Sequence, residues 1–139
     1  PNAAAPAANY VPYTRAGNIL FVSGQIAQNL HGPVKGKLGH DLSLEEGYNA
    51  ARLCGLALLA QVKSACGGEW SLFRRVVKLG GFVNCTSDFL DHPKVINGAS
   101  DLMVEVFGES GSHSRAAVGS TSLPLGVAVE VDGIFELTE

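Results

Sequence analysis

Ser43-Leu44-Glu45-Glu46-Gly47-Tyr48-Asn49-Ala50-Ala51-Arg52-Leu53-Cys54-Gly55-Leu56-Ala57-Leu58-Leu59-Ala60-Gln61-Val62 is the stretch whose reading decides the fold. It opens on a capping box, with Ser43 as N-cap and Glu46 at the third helical position, so two otherwise unpaired backbone donors are satisfied before the helix begins. Leu44, Tyr48, Ala51, Leu58 and Val62 recur on one side. Leu53, Cys54, Leu56, Leu59 and Ala60 fill the positions between, and a stripe that broad packs on more than one side. The helix is expected to stop near Gly67-Gly68. Its most apolar charge-free run, Leu53 to Val62, is ten residues long, about half a membrane span.

Strands are expected on both sides of this helix. Tyr10–Arg15 and Asn18–Ser23 form a hairpin across Ala16-Gly17, and Ile19-Leu20-Phe21-Val22 is continuously apolar, as in a strand covered on both faces. Asn29–His40, with Gly32, Pro33, Gly36 and Gly39, reads as a loop. Val76–Asn84 reads as a strand whose Gly80-Gly81 marks a bulge or a close backbone approach. A second helix begins at Pro93 and runs to Phe107, with Val95, Ala99, Leu102 and Val106 on one stripe and Gly108 and Gly111 ending it. Arg115–Ser120 and Val127–Leu137 follow, and in the latter Val127, Val129 and Val131 alternate with Ala128, Glu130 and Asp132.

The order is therefore β-β-α-β-α-β-β, an α+β domain. Two helices cover one sheet face only, and the other must meet solvent, a ligand or a neighbour. Of the 139 residues 46% are hydrophobic and 17% charged, well below the usual charged fraction of about 25%. An apolar surplus of that kind points to a second copy covering the free face. Residues 10–139 are expected to form this one domain, and residues 1–9, rich in Ala and Pro, a flexible extension.

Composition also narrows the chemistry. A net charge of −3 and no basic stripe argue against a nucleic-acid partner. Cys54, Cys66 and Cys85 have neither CxxC nor zinc-finger spacing, so they read as buried or half-buried free thiols of a reducing, cytoplasmic compartment. His31, His40, His92 and His113 share no metal-like spacing and read as solvated. Gly32-Pro33-Val34-Lys35-Gly36-Lys37 is one residue short of a phosphate loop, and Leu38 stands where a hydroxyl is needed. What remains is Arg115, at the start of a strand after a Gly/Ser loop, and Glu130 on the strand expected to pair with it. Arg115 either grips a planar carboxylate with two parallel bonds or forms an ordinary ion pair with Glu130 or Asp132.

Two ordered blocks carry a resemblance at this point. Gly17-Asn18-Ile19-Leu20-Phe21-Val22-Ser23-Gly24-Gln25 resembles one signature of the Rid family (RidA/YjgF, the reactive-intermediate deaminases, formerly endoribonuclease L-PSP). Ser114-Arg115-Ala116-Ala117-Val118, continuing through Leu123-Pro124 to Val129-Glu130-Val131, resembles the other. Ser43 to Ala57 and Lys94 to Asp101 resemble one branch of that family, and the likeness spans roughly Tyr10 to Leu137.

The resemblance implies a chorismate-mutase-like fold, a mixed sheet backed by two helices, assembling as a homotrimer with ligand clefts between subunits. It implies hydrolysis of 2-imino acids or their enamine tautomers to 2-keto acids and ammonia, with no cofactor and no metal. Catalytic roles fall to Glu130, for the attacking water, and Arg115, for the substrate carboxylate. Tyr10, Ser23 and Asn97 are the further substrate-binding candidates, with Tyr13 the rival of Tyr10. Ala117 stands where deaminating members commonly have Cys, and His113-Ser114 precede the arginine where Pro or Ala and a small residue are common. These departures imply a reshaped pocket. The alternative function is a non-catalytic trimer that binds small carboxylates as a metabolite sensor; an aminomuconate-like acid is a narrower substrate for the enzyme reading.

Overall fold

A computed structural model describes residues 3–6 and 8–139. The expected extension therefore lies partly outside the described residues, at positions 1, 2 and 7. Nine elements carry the fold: β1 (Tyr13–Ala16), β2 (Ile19–Ile26), β3 (Gln28–Asn29), β4 (Gly32–Pro33), α1 (Leu44–Ala65), β5 (Phe73–Asn84), α2 (His92–Phe107), β6 (Ser114–Ser120) and β7 (Val129–Leu137). Five strands form one sheet in the order β1-β2-β7-β5-β6, and β3 pairs with β4 in a small hairpin inside the expected loop. Among the described strands of that sheet, β5 and β6 are the one parallel pair. A parallel pair needs a long crossover, and α2 supplies it.

The capping box starts α1: the Glu46 backbone N–H donates to Ser43 Oγ at 3.1 Å, and the Ser43 N–H donates to Glu46 Oε1 at 2.9 Å. Beyond Ala65 the chain turns at Gly67 and Gly68, whose φ values of 62° and 87° suit glycine. One face of α1 is buried by Ala50, Ala51, Cys54, Leu58 and Val62, and Leu44, placed on the expected stripe, is exposed. Helix α2 meets α1 at very close range, since a Cβ at Gly98 would run into the Tyr48 carbonyl. Val95, Ala99 and Leu102 are buried as expected. Val106 is instead half exposed, and Met103 takes the inward position, because the stripe of a straight helix drifts around its axis.

Both helices pack on the same sheet face. Along β7, Val129, Val131, Phe135 and Leu137 are fully buried beneath them, each side chain of that size worth about 1.5–3 kcal/mol on burial. Glu130, Asp132, Ile134 and Glu136 point to the other face and are half-buried. Phe21 and Val118, on that same uncovered face, are 43% and 47% exposed. So Ile19–Val22 is covered on one side only within a single chain.

One expectation fails in the sheet, and another is narrowed to one of its two forms. The strand carrying Arg115 does not pair with the strand carrying Glu130, because β5 lies between them. The bulges of β5 fall between Phe73 and Lys78, so Gly80 and Gly81 mark close approaches and not a bulge; a Cβ at Gly81 would sit 2.6 Å from Ile96.

Candidate functional site

Arg115 is in register with Leu79 of β5 and so points toward the helix layer. Its Nη1 donates to Asn97 Oδ1 at 2.9 Å and to Ser100 Oγ at 3.0 Å, and its Nη2 donates to the Pro93 carbonyl at 3.1 Å. Pro93, Asn97 and Ser100 follow each other at i, i+4 and i+7, one stripe of α2 facing one guanidinium. A guanidinium has five N–H donors. Three are used here, and among the described residues nothing accepts from Nε or from the second Nη2 hydrogen. Nε and Nη2 lie along one edge of the planar group, the edge whose fork geometry matches a carboxylate. The ion-pair alternative is not what the chain forms, since neither Glu130 nor Asp132 contacts Arg115.

Glu130 belongs to a different corner. It lies opposite Phe82 of β5 and Ile26 of β2, on the uncovered sheet face, the opposite side from Arg115. The β2–β7 register shifts between Val22 and Gln25, and a Cβ at Gly24 would collide with Glu130 Oε2, so the bulged glycine makes room for the carboxylate. Beside it is a cavity of about 370 Å³ walled by Tyr10, Gln25, Pro124, Leu125 and residues 4–6. Leu125, at φ 59°, is the one non-glycine with positive φ among the described residues, a backbone cost that tends to collect at functional clefts.

Burial raises the Glu130 carboxyl above the usual range, and the neighbouring Asp132 charge raises it further. Asp132 is raised by burial as well, opposed by the Gly80 N–H and by Lys78. Carboxylates whose burial favours the protonated form suit proton exchange with a reacting group.

The candidate residues thus separate. Arg115 and Asn97 meet on the helix side, whereas Glu130 and Tyr10 share the cavity. Tyr13 is excluded from the cavity wall, its hydroxyl 3.3 Å from Ser64 Oγ on α1. Ser23 lies in a shallow concavity next door with Phe21 and Asp132, and its hydroxyl is already given to the Val11 carbonyl at 2.8 Å.

Sequence reading missed Ser100 and the Pro93 carbonyl, which no motif marks; only their helical spacing opposite an arginine strand could have suggested them. It also left His113 and His92 to solvent. His113 Nε2 is 2.8 Å from Ser100 Oγ, and His92 Nε2 is 3.4 Å from Cys85 Sγ. The three cysteines are buried free thiols, as expected, and burial pushes the Cys54 thiol far up. Among the described residues no three metal-ligating side chains gather, and no helix is long and apolar enough to cross a membrane.

Comparison with known proteins places this geometry in context. Residues 1–137 match the profile of a family described as "YjgF/chorismate_mutase-like, putative endoribonuclease". Protein TCP17 of Trypanosoma cruzi is 49% identical over 139 residues, covering 99% of this chain and 86% of that protein. The crystal structure of Atu1372 from Agrobacterium tumefaciens, a protein of unknown function, superposes with a TM-score of 0.91 at 48% identity, over 97% of this chain and 87% of that one. That of "a putative endoribonuclease" from Shewanella oneidensis gives 0.93 at 40% identity, over 99% and 91%.

Proposed function

Since the chain belongs to the YjgF/chorismate-mutase-like family, we propose that it hydrolyses reactive 2-imino acids and their enamine tautomers to 2-keto acids and ammonia. The observation that carries this reading is Arg115, held by three contacts through Nη1 and Nη2 while its Nε has no acceptor among the described residues. A 2-imino acid offers the matching carboxylate one bond from the electrophilic carbon. Held there, its C=N carbon has a fixed position, which is much of what the reaction needs.

Glu130 supplies the rest. It takes a proton from water as the oxygen bonds to C2 and the C=N π pair moves to nitrogen. It then returns that proton to nitrogen and carries the hydroxyl proton of the resulting carbinolamine to the same nitrogen as the C–N bond breaks and C=O forms, so both water hydrogens leave on ammonia beside the 2-keto acid. Its raised proton affinity suits both steps. Tyr10, half exposed on the cavity wall, closes the side over the bound acid.

In one chain the two halves lie on opposite sheet faces. The reading therefore joins the Arg115 half of one copy to the Glu130 half of the next, in a homotrimer whose uncovered faces meet. The exposed Phe21 and Val118 on that face support this. Light scattering is expected to give three times the 14.5 kDa chain mass, and a monomer at micromolar concentration would sink the assembly.

The same separation favours one second reading, a trimer that binds small carboxylates at Arg115 without turnover. A coupled assay decides. A dehydratase generates 2-aminoacrylate and 2-iminobutyrate in place, and keto-acid release is followed with wild type and with Arg115→Ala. Acceleration lost in the variant supports deamination. No acceleration by wild type, with a melting temperature raised by a 2-keto acid, supports the binding reading.

A further inference from the structure

Arg115 is the last link of a chain that starts three bonds away. The Gly111 carbonyl lies 2.5 Å from His113 Nδ1, His113 Nε2 lies 2.8 Å from Ser100 Oγ, and Ser100 Oγ lies 3.0 Å from Arg115 Nη1. We propose that His113 is a positioning residue for the carboxylate site: through Ser100 it fixes the plane of the Arg115 guanidinium and so aims the open fork. This rests on the carboxylate-binding reading of Arg115 given above.

The direction of every bond follows from its ends. A carbonyl oxygen only accepts, so His113 Nδ1 carries the hydrogen, and in the arrangement proposed Nε2 carries none and presents a lone pair. Ser100 must then point its hydroxyl hydrogen at Nε2. Its oxygen presents lone pairs the other way, and Arg115 Nη1 donates into one of them. The opposite tautomer would leave Nδ1 and the Gly111 oxygen facing each other as two acceptors.

The far end is well anchored. Gly111 is buried in the turn after α2, and a Cβ there would run into the Met103 carbonyl. The second Nη1 hydrogen is held by Asn97. With both Nη1 hydrogens and one Nη2 hydrogen fixed, the guanidinium cannot rotate about its own plane. Without the Ser100 acceptor only the Asn97 and Pro93 contacts hold it, and a carboxylate must then order the looser group at its own cost on binding.

The test separates this proposal from the function it rests on. Nitrogen-15 spectra of labelled protein are expected to show His113 as the Nδ1–H tautomer, with its Nε2 resonance shifting in Ser100→Ala; an Nε2–H tautomer overturns the chain of bonds whatever the activity. Binding of 2-oxobutanoate, by calorimetry, is expected to weaken roughly tenfold in Ser100→Ala and in His113→Leu. The double variant should be no weaker than the worse single one, because both break one path. His113→Gln, which keeps an acceptor near the Nε2 position, should recover to within about threefold, and it guards against a Leu variant that folds poorly. With a turned-over substrate the loss should appear in KM, with kcat near wild type. If Arg115→Ala abolishes binding and His113→Leu leaves it untouched, the proposal is wrong. If wild-type protein binds no 2-keto acid, the function reading fails instead, and the tautomer and its response to Ser100→Ala still decide the positioning role.

Discussion

The Arg115 corner and the Glu130 corner handle charge in opposite ways. Arg115 is a cation with its position fixed by its own chain, three acceptors of α2 having taken three of its donors. Glu130 is a half-buried acid with no hydrogen-bond partner among the described residues, sharing one strand face with a second raised acid. One corner is preorganised and waits for an anion. The other stores an unfavourable charge at the edge of a cavity. That difference assigns their work, since orientation is best done by a rigid group and proton exchange by an acid whose surroundings favour holding the proton.

The largest test breaks the preorganised side. Arg115→Ala is expected to lower kcat/KM for a 2-imino acid by roughly a hundredfold or more, and Arg115→Lys to recover little of it. An ammonium keeps the charge, but it cannot hold three α2 acceptors and still present a two-donor edge. A lysine variant within about threefold of wild type would mean that charge alone suffices.

Breaking the other side should separate activity from stability. Glu130→Gln is expected to cost about a hundredfold in kcat, with substrate binding largely kept. The same change should raise the melting temperature at pH 7. The folded state holds the Glu130 proton more tightly than the unfolded chain does. Its contribution to stability is therefore complete below the unfolded value and is lost as pH rises through the folded one. Glutamine never ionises, so the gain should vanish in acid, where Glu130 is protonated in both states. A melting temperature that falls at pH 7 would show that the ionised carboxylate has a favourable partner.

Asn97→Ala is a smaller perturbation of the rigid corner. It frees one Nη1 hydrogen while Ser100 and Pro93 keep their contacts. A loss of about five- to tenfold, in KM alone, is expected, and equal losses in KM and kcat would place Asn97 in the chemistry.

How much of this the sequence discloses follows from how local each feature is. The capping box at Ser43–Glu46 and most of the apolar periodicity of both helices lie within one turn of their causes and appear where expected, with Leu44 and Val106 the exceptions. The exposed sheet face follows from counting helices against strands. The strand order does not follow, because Ser120 and Val129 are close in sequence and suggest a hairpin. The α2 crossover makes β6 a parallel neighbour of β5 instead, and β7 enters on the other side of β5. Arg115 and Glu130 could be picked as candidates from residue type and resemblance. Their separation onto opposite faces depends on that strand order, and so does the contact of His113 with Ser100, thirteen residues back on α2. No local pattern encodes either one.

The smallest effect sharpens the comparison most, because Asp132→Asn touches neither corner's contacts and changes only the field at Glu130. Among the charged groups near this pair, Lys78 on β5 faces Asp132, and the buried Cys54 thiol on α1 is neutral; β2 contributes Gly24 and Ile26, which carry no charge. Asp132 as an anion disfavours a second negative charge beside it, so it holds the proton on Glu130. Its removal lets Glu130 ionise at lower pH. If Glu130 acts as the base, the acid limb of the kcat/KM profile moves toward lower pH, with the rate at pH 7 changed by no more than about threefold. A limb that stays in place would mean that desolvation by itself sets the Glu130 proton, and that the paired acids on β7 are neighbours without being partners.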